Sequence, residues 1–259
     1  MSSAEAQGVV KTIVRADTIQ QFVDQASAIV SECILTIGSD GISTRAVDPA
    51  NAAMVDIQIT ASACESTPGG SFVAGVDLNK LDDYLGAASG DDPVSFAFNP
   101  EDRTLNLRHT NREFNVALID PDTVRDEPDI PDLEFTTDVT LPSAEWADAI
   151  DTADLVSDHV TFEADADAGT LEVRCEGDID DVTVTFEGDD FGGGSEIDAD
   201  TKSLYSVPYM TGDSGLLSPV PSCDLRVRFA EDHPIKYNYE FADGNATVEA
   251  MCAPRIQAD

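Results

Sequence analysis

Apolar positions recur along this chain with two periods that take turns. Ile19, Phe22, Val23, Ala26, Ile29 and Val30 fall at helical spacing and define one buried stripe. Asp17 precedes the stripe and Gln20 follows three residues on, the pattern of a capping box. On either side the apolar residues alternate with polar ones, as half-buried strands require. Strands are predicted at 9–14, 33–37, 42–46, 54–59, 71–76, 94–98, 104–109 and 113–119. Leu78, Leu81, Leu85 and Ala88 mark a second helix, and Gly38-Ser39-Asp40-Gly41 reads as a hairpin turn.

The same order then returns. A strand is predicted at 133–141, followed by a helix with Ser143 as N-cap and a stripe of Trp146, Ala149, Ile150, Ala153 and Val156. Further strands are predicted at 159–164, 170–176, 181–187 and 203–207, a glycine-weakened helix at 209–217, and a meander at 224–229, 235–241 and 246–251. Two long halves in one order indicate an internal duplication, since solenoid repeats have periods of roughly 20–50 residues. The expected fold is α+β, two similar domains of antiparallel sheet with two helices each. Their expected bounds are 9–118 and 136–259, with an N-terminal extension at 1–8 and a connector at 119–135.

Between the halves runs ALIDPDTVRDEPDIPDLEF, residues 117–135. Pro121, Pro128 and Pro131 exclude a helix interior or a central strand there. Val124, Ile130 and Leu133 are its sizeable apolar residues, set between charges where a plain spacer would not need them. Val124 and Ile130 are therefore expected to serve something that docks on the connector; the alternative is that they cover a little of the core.

Charge changes the setting more than the fold. The 259 residues carry 51 Asp plus Glu against 14 Lys plus Arg, a formal net charge of -37. The acids alternate with core-forming residues, so they coat a folded surface and do not form an acidic tail. In dilute buffer this coat repels itself, whereas at molar ionic strength the Debye length is about 3 Å and the repulsion is screened. A salt-loaded cytoplasm is the expected location. No apolar run approaches the ~20 residues that cross a bilayer, and MSSAEAQG lacks the features of a secretory signal. Five cysteines without a CxxC pair suit reduced thiols.

Catalytic chemistry is not indicated. His109, His159 and His233 are not at metal spacing with cysteines. Ser157-Asp158-His159 has triad residue types, but adjacent residues on one element seldom converge. The run from Asp165 to Gly169 with Glu176 imitates a calcium loop whose glycine stands one position early. The glycine-rich stretch 188–198 lacks the Lys-Ser/Thr of a phosphate loop. No enzyme, metal or cofactor is expected.

Four stretches, in order, resemble the sliding clamps of archaea and eukaryotes, the proliferating cell nuclear antigen (PCNA) family. They are DGISTRAVDPANAAMVDIQI with its Val47-Asp48, LIDPD followed by PDIPDLEF, EGDIDDVTVTFEG, and the ending MCAPRIQAD with Ala253, Pro254, Arg255 and Ile256. The resemblance covers nearly all of the chain after the first eight residues, and the acidic composition makes it haloarchaeal-like. It implies a DNA polymerase sliding clamp: three chains, head to tail, forming a six-domain ring around duplex DNA. It also implies partners such as DNA polymerase, clamp loader, flap endonuclease and ligase, each held through a short peptide with hydrophobic and aromatic anchors. The residues matching the peptide pocket are Val47, Ala52, Met54, Val124, Ile130, Pro234, Met251, Ala253 and Pro254. Those matching the subunit contact are Phe114, Val116 and Leu118 on one strand and Val182, Val184 and Phe186 on another.

The chain departs from the family in the helices that would line the hole. Of the candidates to face DNA, only Lys80 lies in a predicted helix, while Lys11, Arg15 and Lys202 lie near helix starts. Direct phosphate contact is thereby put in doubt, and solvent cations bridging acids to phosphates are the expected substitute. A function of another class, an acidic DNA-mimicking binding protein, suits the charge equally. The duplicated plan and the apolar connector favour the clamp.

Overall fold

The structure is a computed structural model that describes residues 10–68, 70–99, 102–125, 133–211 and 215–255. In the first half, β1 (Val10–Arg15) runs straight into α1 (Ala16–Ser27). Then come β2 (Glu32–Gly38), β3 (Gly41–Val47), β4 (Ala53–Thr60), β5 (Cys64–Ser66), β6 (Phe72–Asp77) and α2 (Leu78–Leu85). A meander of β7 (Pro93–Asn99), β8 (Thr104–His109) and β9 (Arg112–Ala117) closes the half. The second half repeats this with β10 (Thr137–Pro142), α3 (Ser143–Asp154), β11 (His159–Asp165), β12 (Thr170–Glu176) and β13 (Asp181–Glu187). It ends with β14 (Glu196–Ile197), β15 (Thr201–Ser206), β16 (Asp224–Phe229), β17 (Ile235–Phe241) and β18 (Ala246–Cys252).

All strand pairs are antiparallel, so one face of each strand can bury its alternate residues while the other stays polar. One sheet has the order β5-β1-β7-β8-β9 and another the order β13-β12-β11-β15. The largest, β14-β10-β16-β17-β18-β4-β3-β2-β6, spans both halves. The duplication is therefore visible in the pairings: β10-β16-β17-β18 repeats β1-β7-β8-β9, and β13-β12-β11-β15 repeats β4-β3-β2-β6. The halves meet where β4 pairs with β18, from Ala246 opposite Ile59 to Cys252 opposite Ala53. The counterparts of these two strands, β13 and β9, end their sheets.

Helices cover the apolar faces. α1 buries Ile19, Phe22, Val23 and Ala26 and packs on α2, which buries Leu78, Leu81 and Leu85. α3 buries Trp146, Ala149, Ile150 and Ala153, and the Trp146 ring lies 5.0 Å from that of Phe162. No helix among the described residues is long and apolar enough to cross a membrane.

Several expected termini differ. Asp17 does not cap α1; it sits in the first turn, where its carboxylate accepts from Arg15 and from the Thr18 amide. Gln20 donates to the carbonyls of Leu85 and Ala88, tying α1 to the end of α2. Ser143 is the first residue of α3; its hydroxyl donates to the Pro221 carbonyl and accepts from the Cys223 amide. The strand expected from 133 begins at Thr137, where pairing with Ile197 and Phe229 begins. Of the helix expected at 209–217, the described part begins as a 3-10 turn over Val207–Tyr209, started by a proline, and residues 212–214 lie outside the described residues.

Candidate functional site

Directly opposed residues of antiparallel strands share a face. Val47 opposes Met54, Met54 opposes Met251, and Met251 opposes Lys236. Lys236 in turn opposes Arg228, and Arg228 opposes Asp138. One row of side chains thus crosses β3, β4, β18, β17, β16 and β10, apolar at one end and ionic at the other. It crosses the join between the halves at the Met54–Met251 pair. Thioether side chains adapt their shape to what packs on them.

The apolar end is framed by a rigid loop. Asp48, 6% exposed, follows β3, and its carboxylate accepts from the amides of Ala50, Ala52 and Ala53 at 2.9, 2.6 and 2.8 Å. Those three bonds hold the turn 48–53, in which Asn51 adopts φ 58°. The Ala253 amide donates to the Ala52 carbonyl at 2.7 Å, and the Arg255 amide to the Leu204 carbonyl at 2.7 Å, so the chain end crosses beside the loop. Val47, Ala52, Met54, Pro234, Ala253 and Pro254 are half-buried and Met251 is buried. Burial pushes the Cys252 thiol beneath them up to about 12, with the charge of Asp48 adding to it.

The connector enters on the far edge of this sheet. Ile119 exchanges backbone bonds with Gly75 of β6, its amide donating at 2.8 Å and its carbonyl accepting at 3.1 Å. Val124 is 6% exposed and stands over Gly75, where an added Cβ would lie 2.7 Å from its Cγ2. β6 is separated from β4 by β3 and β2, so in this structure Val124 covers the backbone of β6 and latches the connector, apart from the row at Met54 and Met251. Arg125 donates to the Asn51 side chain, linking the connector to the loop. Ile130 lies outside the described residues, as do Ile256 and residues 1–8.

At the ionic end, Lys236 is 7% exposed and donates to Glu249 at 2.8 Å, and Asn238 donates to the same carboxylate at 3.2 Å. Burial raises the Glu249 carboxyl, but Lys236 and Asn238 outweigh it and hold the group below the usual range. Arg226 grips Asp138 with two nitrogens. Arg228 donates to the Asn238 carbonyl oxygen at 2.6 Å, and Phe135 lies 5.2 Å from its guanidinium and 5.9 Å from the Lys236 ammonium.

The two strands named from the resemblance as subunit contacts are β9 and β13, each of which ends its sheet. Phe114, Val116, Val182, Val184 and Phe186 lie on their inward faces, with Val116 and Phe186 buried, and Leu118 follows β9. Of the basic residues considered for DNA, Lys80 alone is helical. It pairs with Asp77 at 3.0 Å, Arg15 with Asp17 and Asp91, and Lys202 with Glu163 at 3.4 Å. Lys11 is exposed on β1. On α1, burial and then the neighbouring Asp82 push the Asp24 carboxyl up from its ordinary value.

Asp48, Gly75, Arg125, Arg228 and Lys236 were not singled out by sequence pattern as site residues. A signal existed for two of them: Arg226, Arg228 and Lys236 place three of the 14 basic residues within eleven positions.

No family model matches the chain. It is 37% identical over 253 residues to the DNA polymerase sliding clamp of Natronomonas pharaonis, covering 96% of this chain and 99% of the relative. To the DNA polymerase sliding clamp of Haloarcula marismortui it is 36% identical over 251 residues, covering 95% and 98%. Among solved structures it resembles A. fulgidus PCNA bound to the C-terminal region of FEN-1, with TM-score 0.86 and 29% identity over 96% of this chain and 100% of that one. Thermococcus kodakaraensis PCNA shares the fold, with TM-score 0.83 and 22% identity over 95% and 100%.

Proposed function

The chain belongs to the DNA polymerase sliding clamp family, and on that premise we propose that three copies close head to tail around duplex DNA and tether replication and repair proteins there. The observation that carries the ring is the join between the halves. β4 pairs with β18 inside the chain, and their counterparts β13 and β9 each end a sheet. A free edge is a hazard unless it is paired, and a head-to-tail contact closes into a ring when the rotation permits.

The internal ladder also gives the register. Through the hairpin pairings, Asp56 in β4 corresponds to Thr183 in β13, and Glu249 in β18 corresponds to Glu113 in β9. Asp56 opposes Glu249 within the chain. Repeating that ladder between copies sets Thr183 of one opposite Glu113 of the next, and Val182 opposite Phe114.

Partners dock on the apolar end of the cross-strand row: Val47, Ala52, Met54, Pro234, Met251, Ala253 and Pro254, with Ile130 of the connector as the remaining expected contact. The A. fulgidus clamp carrying a FEN-1 segment supports a flap endonuclease among them, and polymerase, clamp loader and ligase follow from the family. The protein works in the cytoplasm, without a reaction or cofactor of its own. DNA is held by topology, which needs no affinity, and solvent cations bridge the acidic helix faces to phosphates. Nothing in the acidic coat alone favours the DNA-mimic alternative once the family is known.

Retention on DNA tests this function. A clamp loaded on a closed circle in molar salt should stay bound through washing and be lost when the circle is cut. Equal loss from intact and cut circles would contradict encirclement.

A further inference from the structure

We propose that the ionic end of the cross-strand row receives a carboxylate from the docked partner segment, with Arg228 as its receptor; this rests on the docking reading above. The row itself sets the geometry. Met251, Lys236 and Arg228 stand on successive strands, and strands lie about 4.7–4.9 Å apart. Arg228 is thus about 10 Å from the apolar anchor site and on the same face.

Charge balance at this end is unlike the rest of the surface. Three cations, Arg226, Arg228 and Lys236, meet Asp138 and Glu249, with the exposed Glu196 opposite Asp138 at the outer end of the row. Both carboxylates are committed, Asp138 to Arg226 and Glu249 to Lys236 and Asn238. Asp138 and Glu249 act on Arg228 through their charge, but it hydrogen-bonds only the neutral Asn238 oxygen, and its Nε is buried without a hydrogen-bond partner among the described residues. A chain with 51 acidic and 14 basic residues thus gathers three of its cations next to its docking row.

The aromatic ring over this cation decides what it can do in salt. Phe135 lies 5.2 Å from the Arg228 guanidinium, and such stacking suits a weakly hydrated planar cation. Exposed charges are screened at molar ionic strength, whereas partly buried pairs are screened much less. Arg228 is half-buried. A fork-shaped guanidinium with donors to spare selects a carboxylate from a peptide that the acidic coat would otherwise repel.

The test uses full-length protein in about 2 M potassium chloride, where the Debye length is near 2 Å. Peptides share one aliphatic and two aromatic anchors and carry either Asp or Asn at one position three to seven residues from the aromatics, a span of about 10 Å or more in extended or helical form. At one position the Asp peptide should bind about tenfold tighter than its Asn twin, as for a hydrogen bond to a charged group. Arg228→Gln should erase that preference, while Lys80→Gln, on α2, should preserve it. Equal binding of the twins at every position would overturn the proposal, as would a preference that survives Arg228→Gln; Arg228 then only anchors Phe135. Met54→Ala separates the two levels. If it weakens both twins and no Asp preference exists, docking stands and this inference falls; if it weakens neither, both fall.

Discussion

Replacing Gly75 by alanine should unlatch the connector from the sheet. The new Cβ would stand 2.7 Å from Val124 Cγ2, 2.8 Å from Ile119 Cβ and 3.0 Å from the Ile119 carbonyl oxygen. Carbon atoms rest about 3.5–4.0 Å apart, so the connector must retreat by about 1 Å on two contacts at once. That retreat loosens the reciprocal Gly75–Ile119 backbone bonds of 2.8 and 3.1 Å, each worth about 0.5–1.5 kcal/mol net. It also uncovers part of Val124, now 6% exposed, whose full burial is worth about 1.5–3 kcal/mol. The expected loss is about 2–4 kcal/mol, read as a lower denaturant midpoint in molar potassium chloride with an unchanged slope. Gly70→Ala is the control, because nothing lies within 4 Å of a Cβ there; it should stay within about 0.5 kcal/mol. A Gly75→Ala protein as stable as that control would refute the latch.

Three further outcomes are expected. Met54→Ala should cost about 1–3 kcal/mol in affinity for a peptide with aliphatic and aromatic anchors, while sedimentation in molar salt shows the trimer intact. Lys80→Glu should hardly change passive DNA affinity, since its ammonium already sits 3.0 Å from Asp77; a salt slope equivalent to about six phosphate contacts would contradict this. The Glu249 carboxyl is held below its usual range in the fold, so the stability it contributes is full above the unfolded value of about 4.3 and lost as pH falls through the lower folded value. The stability gap between the native chain and Glu249→Gln should therefore shrink below about pH 4; a gap constant from pH 6 to 3 would show that the Lys236 pair contributes nothing through its charge.

The strands, the meanders and the apolar stripes of α1 and α3 were legible because period-two and helical patterns report local burial directly. What was not legible depends on which partner, near or far in the chain, each side chain takes. Asp17 and Ser143 look like caps, yet their side chains answer to Arg15 and to Pro221 and Cys223. β14 is two residues long, too short to show any alternation. At the site, Val47, Met54 and Met251 were found through family resemblance, since each alone reads as core. Val124 is ambiguous from sequence, because an apolar residue among charges looks the same whether it meets a partner or covers a backbone such as that of Gly75. The ionic end of the row required the register: only the β16–β17 and β17–β18 ladders bring Arg228, Lys236 and Met251 into line.

The most direct test of the ring is a cysteine pair placed by the internal ladder. Residues directly opposed across antiparallel strands have Cα atoms about 4.5–5.5 Å apart, within the disulfide range of about 4.4–6.8 Å. Glu113→Cys with Thr183→Cys in one chain should, on oxidation in molar potassium chloride, yield a covalently closed trimer. The native protein with its five free cysteines should not, and the pair Asn115→Cys with Thr183→Cys, shifted by two residues, should cross-link far less. Failure of the first pair alongside efficient closure by the shifted pair would overturn the register, and a monomer throughout would overturn the ring.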